Sequence, residues 1–213
     1  MAKADPTVFI VDDDPAVRDS LGLLLRSVGL SSAAYASADE FLAAFDPGRP
    51  GCLLLDVRMP GTSGLELQTR LAALGSSIPI IFLTAHGDIE MAVKAVKAGA
   101  IDFIQKPFRD QDLIDKIHYA LASDVRLREK RTEVEVVRSR LASLTPREHE
   151  LLEKVVAGRA NKVIADELGI SQRTVEIHRA HVMKKMAAES VTDLVRMLMR
   201  ARSEEKGTPR GVP

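Results

Sequence analysis

Carboxylate, hydroxyl and ammonium side chains follow four separate apolar runs in the first half of the sequence. Carboxylates a few ångströms apart repel one another unless a hard divalent cation neutralises their charge. A carboxylate beside such a cation can attack phosphorus and form an acyl phosphate, while an ammonium and a hydroxyl stabilise the charge on the equatorial oxygens. These residue types therefore indicate phosphoryl transfer. They are Asp12 and Asp13, Asp56, Thr84 and Lys106.

Asp56 is the lone carboxylate at the end of the apolar run 52–55 and precedes a proline-glycine turn, so it is expected at the edge of a sheet, where it is placed for chemistry. Magnesium is the expected ion, with manganese as its substitute. Mg2+ prefers oxygen ligands and keeps several waters. Asp13, Asp56 and the backbone carbonyl of Arg58 are the predicted metal ligands, and Asp12 acts on the ion through water.

Five apolar runs alternate with five amphipathic segments through residues 8–122. The runs predict strands at 8–11, 32–35, 52–55, 78–83 and 101–104, and the segments predict helices that end near 28, 45, 74, 98 and 122. Strands separated by helices of this length pair in parallel, and such sheets are covered on both faces. The predicted fold is therefore α/β, a doubly wound five-stranded parallel sheet whose site lies beyond the carboxyl ends of the strands.

Four segments of this half resemble the receiver domain of bacterial two-component response regulators. The resemblance implies the strand order 2-1-3-4-5, a cis Lys106-Pro107 bond, and a partner histidine kinase that phosphorylates Asp56. The segments that carry it are VDDD at 11–14, LLLDVRMPGTSG at 53–64, FLTAHGD at 82–88 and GAIDFIQKPF at 99–108.

The resemblance also implies a switch. Thr84 and Lys106 contact the phosphoryl group, Thr84 moves toward it, and the ring of Phe103 swings inward. The incoming negative charge thereby changes the face formed by the fourth helix, fifth strand and fifth helix. A homodimer is expected to form there, chiefly through the fourth helix and fifth strand. Packing of Phe103 as an ordinary core residue is the competing interpretation.

The second half of the chain differs in charge from the first. Residues 1–123 carry 11 basic and 16 acidic residues, whereas residues 124–213 carry 19 and 14. This asymmetry favours a nucleic-acid partner for the second half. The predicted division is a receiver at 1–123, a helical linker at 124–143 that is a solvated rod or a pairing helix, a helical domain at 144–202 and a flexible tail at 203–213.

The helical domain contains a helix-turn-helix pattern within its four predicted helices. Ala165 is a small residue in one helix, Gly169 provides the turn, and Ser171 caps a second helix whose first turns can enter a major groove. No aromatic residue follows Tyr119, which argues against single-stranded partners and favours duplex DNA. The predicted DNA-binding residues are Asn161, Lys162, Arg173, Thr174, Glu176, Ile177, Arg179 and Lys184.

Residues 144–186 resemble the LuxR-type output domain, and the whole chain resembles the FixJ-like subgroup of the NarL/FixJ family. This implies dimers on inverted DNA half-sites and activation of transcription. Glu176 and Ala180 stand where basic residues are common elsewhere in the family. The operator sequence of those relatives therefore does not transfer to this chain.

Two other functions compete with this interpretation. In the first, the chain is a phosphatase with Asp56 as a transient nucleophile. Haloacid-dehalogenase-like enzymes usually carry a second aspartate two positions later, and Arg58 occupies that position here. In the second, the helical output domain binds RNA polymerase or a sigma antagonist rather than DNA.

The compartment is predicted from cysteine content and hydropathy. Cys52 is the only cysteine, which excludes an internal disulfide and fits a small core residue in a reducing cytoplasm. The chain has no 18-residue apolar span, and its first apolar run, at 8–11, is far shorter than a signal-peptide core. The expectation is a soluble cytoplasmic protein with no membrane partner.

Overall fold

The computed structural model describes residues 5–84 and 89–205, with only the backbone described at 89–92 and 203–205. The chain divides into two compact units, Met1–Arg128 and Glu129–Pro213. From residue 206 onward the predicted tail lies outside the described residues, and the domain boundaries at 123, 143 and 202 stay predictions. Among the helices that are described, none has the length and apolar character needed to cross a membrane.

A five-stranded parallel sheet forms the first unit. Its strand order is β2-β1-β3-β4-β5, with every neighbouring pair parallel. This confirms the predicted doubly wound fold and its order 2-1-3-4-5. The elements are β1 Thr7–Val11, α1 Pro15–Ser27, β2 Ser31–Tyr35, α2 Ala38–Ala44, β3 Gly51–Asp56, α3 Gly64–Ala73, β4 Ile80–Thr84, α4 Ile89–Lys97, β5 Asp102–Gln105 and α5 Asp110–Ala142.

Both faces of the sheet are buried. Leu53 and Leu55 of β3 pack into the cluster on one face, and Cys52 and Leu54 pack into the cluster on the other. Alternate side chains of a strand point to opposite faces, so burial on both faces requires the continuous apolar run seen in the sequence. Cys52 is fully buried, which confirms its interpretation as a core residue. This burial, with a smaller contribution from Asp124, raises the pKa of its thiol to about 12.

The fifth helix is longer than predicted. It was expected to end near 122 and to be followed by a separate linker helix, but α5 runs without a break from Asp110 to Ala142. No glycine or proline occurs within it to end it. Val134 and Val137, part of the apolar stripe of the predicted linker, are buried in the core of the second unit. Val134 and Val137 therefore pack against other apolar residues of the second unit.

Asp124 and Arg128 hold the middle of α5 in place. The Asp124 carboxylate is 2% exposed, and it accepts from the Gly51 amide at 2.9 Å and from Arg128 Nε at 2.7 Å. The Arg128 guanidinium also donates to three carbonyls of the loop before β3, those of Pro47, Gly48 and Arg49. Asp124 and Arg128, at the start of the charged segment that the sequence predicts to be a linker, are therefore hydrogen-bonded to other residues of the first unit.

Within the described part of the second unit, which ends at residue 205, four helices follow α5, as predicted. Thr145 and Glu148 form a capping box at the start of α6, and Ser171 caps α8 by accepting from the Thr174 amide. Gly169 ends α7 in the left-handed conformation at φ 64°, which glycine adopts without strain. The pair α7 and α8 forms the helix-turn-helix. The helices are α6 Pro146–Val156, α7 Asn161–Leu168, α8 Gln172–Met186 and α9 Val191–Glu205.

The Glu148 carboxylate should stabilise the second unit in a pH-dependent way. A hydrogen bond from Lys185, with those from Thr145, lowers the pKa of Glu148 from 4.5 to about 2. Because the folded pKa is the lower one, the stabilisation is complete above pH 4.5 and is lost as pH falls toward 2. Glu148→Gln keeps the capping box and removes the charge, so it should cost about 1 kcal/mol at neutral pH.

Hydrogen exchange of α6 peptides from the full chain measures this effect. Faster exchange in Glu148→Gln than in the unsubstituted chain is expected at pH 7, with the difference shrinking between pH 4.5 and 2. Glu150→Gln, an exposed site on the same helix, is the control. A difference between the variant and the original chain that does not change with pH would contradict the assignment.

Candidate functional site

The carboxyl ends of four strands bring the predicted site residues to one edge of the sheet. Asp56 is the last residue of β3 and Thr84 the last of β4. Asp12 follows β1 and Lys106 follows β5. Parallel pairing places these ends side by side, with Val11 opposite Leu55 and Thr84 opposite Gln105. The edge predicted from the sequence therefore exists.

Lys106 joins two of the predicted carboxylates. Its ammonium donates to Asp12 Oδ2 at 2.8 Å and to Asp56 Oδ1 at 2.7 Å. The side chains of Asp12, Asp56 and Lys106 are 1%, 13% and 26% exposed. Asp56 is thus the more accessible of the two carboxylates, as an acceptor of an incoming group must be.

Burial and hydrogen bonding act in opposite directions on these charges. Burial raises the pKa of Asp56 above its ordinary value, against the lowering effect of hydrogen bonds from Lys106 and the Arg58 amide. Burial lowers the pKa of Lys106, but the carboxylates of Asp12 and Asp56 outweigh it and the net direction is upward. The Lys106 ammonium therefore does not fully offset the cost of burying the charge of Asp56. Further positive charge at this edge would favour the ionised carboxylate.

The backbone around the site fixes the orientation of each carboxylate. Asp56 Oδ2 accepts from the Arg58 amide at 2.8 Å, so its two oxygens have different partners. Asp12 Oδ1 accepts from the Asp14 amide at 3.0 Å, while Arg18 donates to the Asp12 carbonyl at 2.7 Å. One oxygen of each carboxylate therefore has a backbone amide as its partner and the other has Lys106.

The carboxylate oxygens at this edge are candidate ligands for a metal ion. Across residues 5–84 and 89–205, no group of three or more His, Cys, Asp or Glu side chains could hold a metal ion. Mg2+ does not require such a group, because one or two carboxylates with waters suffice. Asp12 and Asp56 supply two carboxylates on one ammonium, whereas Asp13 is exposed on the loop after β1. This oxygen set fits a hydrated Mg2+.

Thr84 and Phe103 lie on the strands beside the acceptor. Thr84 is 3% exposed, and its carbonyl accepts from the Lys106 amide at 2.7 Å. The Lys106-Pro107 bond is cis, as the resemblance implied. Phe103 is partly buried and packs against the core cluster that contains Phe82. That packing fits its interpretation as a core residue, and its role as a switch stays a prediction.

The outer face of α8 is a second candidate site, for DNA. Val175, Val182 and Met186 are buried on the inner side of the helix. The side chain of Ile177 on the opposite side is 49% exposed. His181, four residues after Ile177, shares this face and was not predicted, although helical spacing alone would have indicated it. The exposed residues of the face are Arg173, Glu176, Ile177, Ala180, His181 and Lys184.

Two of the predicted DNA-binding residues contact each other. The Arg179 guanidinium donates to Asn161 Oδ1 at 3.0 Å, which links α8 to the first residue of α7. The Thr174 hydroxyl shares a 2.8 Å hydrogen bond with that of Ser171, and Lys162 is exposed. In this arrangement Arg179 and Asn161 brace the helix-turn-helix, and their contacts with DNA stay predictions.

Fold and sites together define a class of protein. A doubly wound sheet with Asp12, Asp56 and Lys106 at its carboxyl edge, followed by a helix-turn-helix unit, is the organisation of a response regulator with a DNA-binding output domain. Two sequence matches identify the family of the chain. Residues 8–118 match the response regulator receiver domain, and residues 142–198 match the luxR family of bacterial regulatory proteins. The chain belongs to the LuxR-type response regulators, in the FixJ-like subgroup.

Individual relatives match nearly the whole chain. Nodulation protein W of Bradyrhizobium diazoefficiens is 50% identical over 196 residues, which cover 92% of this chain and 86% of that protein. The transcriptional regulatory protein FixJ of the same species is 44% identical over 194 residues, 91% of this chain and 95% of that protein. The solved structure of the response regulator StyR superimposes with a TM-score of 0.83 at 46% identity, covering 92% of this chain and all of that one.

Proposed function

We propose that the chain is a transcription regulator that a partner histidine kinase activates by phosphorylating Asp56. The observation that supports this most strongly is the Lys106 ammonium between the carboxylates of Asp12 and Asp56, at the open edge of the sheet. The phosphatase alternative has less support, because Arg58 occupies the position where those enzymes carry their second aspartate.

This geometry supports phosphoryl transfer to Asp56 as the chemical step of the proposal. A carboxylate oxygen of Asp56 forms a bond to phosphorus, the P–N bond of a kinase phosphohistidine breaks, and its electron pair stays on the imidazole. Lys106, already in contact with Asp56 Oδ1, is placed to stabilise charge on the phosphoryl oxygens. Asp13, Asp56 and the Arg58 carbonyl, with Asp12 acting through water, would hold Mg2+, which would neutralise the charge of the site when bound.

Pairing of two receivers is the proposed response. Val93 and Val96 of α4 are 45% and 42% exposed, and Tyr119 of α5 is 61% exposed. In the same unit, Lys116 of α5 forms an ion pair with Asp102 of β5. Apolar side chains bordered by charge suit a second copy of the chain. In this proposal Thr84 and Phe103 carry the change from Asp56 to that surface.

Duplex DNA is the proposed target of α8, and activation of transcription is the proposed outcome. Arg173 lies in the first turn of the helix, where it can reach guanine or phosphate, and Lys184 lies near the other end. Ile177 can contact a thymine methyl group, and Glu176 can accept from cytosine. Because Glu176 is negative and Ile177 is apolar, this face carries less positive charge than a surface that binds DNA by attraction to phosphates alone.

Arg173→Ala should weaken binding of the duplex that the unsubstituted chain selects from a random library. A lost guanine contact costs about 1–3 kcal/mol and relaxes specificity at one base pair, whereas a lost phosphate contact lowers the salt slope by about one. Fluorescence anisotropy over a range of salt concentrations separates the two cases. Arg138→Ala, an exposed arginine of α5, is the control.

Two results would contradict this assignment. If Arg173→Ala and Arg138→Ala bind the duplex equally well, α8 does not read the DNA. Basic DNA-binding surfaces bind DNA most strongly at low salt. If the phosphorylated chain binds no duplex under that condition, the output unit acts on a protein such as RNA polymerase or a sigma antagonist.

A further inference from the structure

The C-terminal end of α8 is held by residues from outside the helix-turn-helix. Met186, the last residue of α8, is fully buried, and its carbonyl accepts from the Arg140 guanidinium at 2.9 Å. Arg140 belongs to the last turn of α5. A cation at the carboxyl end of a helix is favoured by the helix dipole and satisfies a carbonyl that has no partner within the helix.

The backbone after Met186 shows why an external donor matters there. Ala187 adopts the left-handed conformation at φ 49° and is the only non-glycine residue with positive φ among the residues described. A residue with a Cβ is strained in this conformation and persists only when its surroundings hold it. The Ala187 and Ala188 amides donate to the carbonyls of Lys184 and Met183. Arg140 supplies a donor to the carbonyl of Met186, the last residue of the helix.

A second polar contact joins the same end of α8 to neighbouring elements. The Lys185 ammonium donates to the Ser143 carbonyl at 3.2 Å and to the Glu148 carboxylate at 2.7 Å. Ser143 follows α5, and Glu148 lies in the first turn of α6. The end of α8 is therefore connected to the end of α5 through both Arg140 and Lys185.

Apolar packing supports the same connection. Val134 and Val137 of α5 are buried in one cluster with Val182 and Met186 of α8. Arg140 lies at the edge of this cluster, partly buried. All of these residues belong to the second unit. The last turns of α5 are thus a structural part of the DNA-binding unit, and Arg140 is their polar contact with the recognition helix.

We propose that Arg140 is a positioning residue for DNA recognition, which sets the direction of α8 by holding its C-terminal end. The inference rests on the proposed function of α8 as the recognition helix. Arg140 itself need not touch DNA: its effect reaches the bases through Ile177 and Lys184, whose placement in the groove depends on the axis of the helix. Base-specific contacts require that placement, whereas non-specific attraction to phosphates does not.

The test compares Arg140→Ala with Arg138→Ala in the phosphorylated full-length chain. The two arginines lie on the same helix and carry the same charge, but Arg138 is exposed. Two duplexes are used, one selected by the unsubstituted chain from a random library and a scrambled duplex of the same composition. Arg140→Ala should lower affinity for the selected duplex about tenfold, since it removes a charged hydrogen bond, and should leave affinity for the scrambled duplex and the salt slope unchanged.

Further variants separate positioning from folding. Arg140→Lys retains a donor and a positive charge and should recover part of the lost affinity, whereas Arg140→Gln retains neither the charge nor the reach. The amide exchange of α6 peptides reports whether the second unit remains folded in each variant. Should Arg140→Ala prove unfolded, the comparison of Arg140→Lys with Arg140→Gln gives the same test.

Distinct results would overturn the inference. Equal losses on the selected and scrambled duplexes, with a smaller salt slope, would make Arg140 a phosphate contact. Equal affinities of Arg140→Ala and Arg138→Ala for the selected duplex would show that Arg140 does not position α8. Absence of DNA binding by the unsubstituted phosphorylated chain would overturn the proposed function as well, and so differs from failure of the inference alone.

Discussion

Asp56→Asn should abolish phosphorylation of the chain by acetyl phosphate in the presence of Mg2+. Asparagine keeps the size of the side chain and an oxygen that can accept from Lys106, but its neutral amide is not a nucleophile toward phosphorus. The Asp56 carboxylate is the partly accessible one at the edge of the sheet, whereas that of Asp12 is 1% exposed. No second carboxylate is expected to take over.

Intact-protein mass spectrometry measures the effect directly. The unsubstituted chain should gain the mass of one phosphoryl group, and Asp56→Asn should gain none. Asp19→Asn removes an exposed carboxylate from α1 and serves as the control, with phosphorylation unchanged. Retention of the full mass increment by Asp56→Asn would show that the acceptor lies elsewhere.

Gly64→Ala should destabilise the first unit strongly and impair phosphorylation with it. A Cβ at Gly64 would lie 2.2 Å from the Asp56 carbonyl oxygen and 3.1 Å from both Leu55 Cγ and a ring carbon of Phe82. The closest atom belongs to the backbone of a central strand, so it cannot move without displacing the acceptor. Forced overpacking of this kind costs about 3 kcal/mol.

Gly22→Ala is the matched control for that substitution. Gly22 lies within α1, and a Cβ there would have no neighbour within 4 Å. Alanine in a helix interior is favoured over glycine by about 0.5–1 kcal/mol, so Gly22→Ala should stabilise the unit slightly. Urea denaturation of both full-length variants, followed by far-UV circular dichroism, gives the comparison. Equal midpoints for Gly64→Ala and the unsubstituted chain would show that α3 does not fit closely against β3.

The sequence was most informative where physical requirements are local. A strand buried on both faces must be a continuous apolar run, and a polar residue at its carboxyl end must lie at the sheet edge, so the places of Asp56 and Thr84 could be predicted. The direct contacts of Lys106 with Asp12 and Asp56 depend on residues 94 and 50 positions away. Spacing along the chain carries no information about such distances.

The burial of charged residues in α5 could not be predicted from the local sequence. The change to charged residues near 124 predicts a domain boundary, which stays a prediction, whereas the structure shows that Asp124 itself is buried and hydrogen-bonded to Arg128. The pairing of Asp124 depends on a residue 73 positions earlier in the chain, Gly51 at the start of β3, whose amide donates to it. In the same way, Arg179 was assigned to DNA from its position on α8, and its contact with Asn161 became visible only in the folded unit.

The central claim is that phosphorylation of Asp56 controls DNA binding by α8, and one titration tests it most directly. The affinity of the full-length chain for its selected duplex is measured by fluorescence anisotropy before and after treatment with acetyl phosphate and Mg2+, in the same salt. Binding should be about tenfold tighter after treatment, within the usual range of coupling between sites, and should not change for Asp56→Asn. Equal affinities of the treated and untreated chain, or the same gain in Asp56→Asn, would contradict the claim.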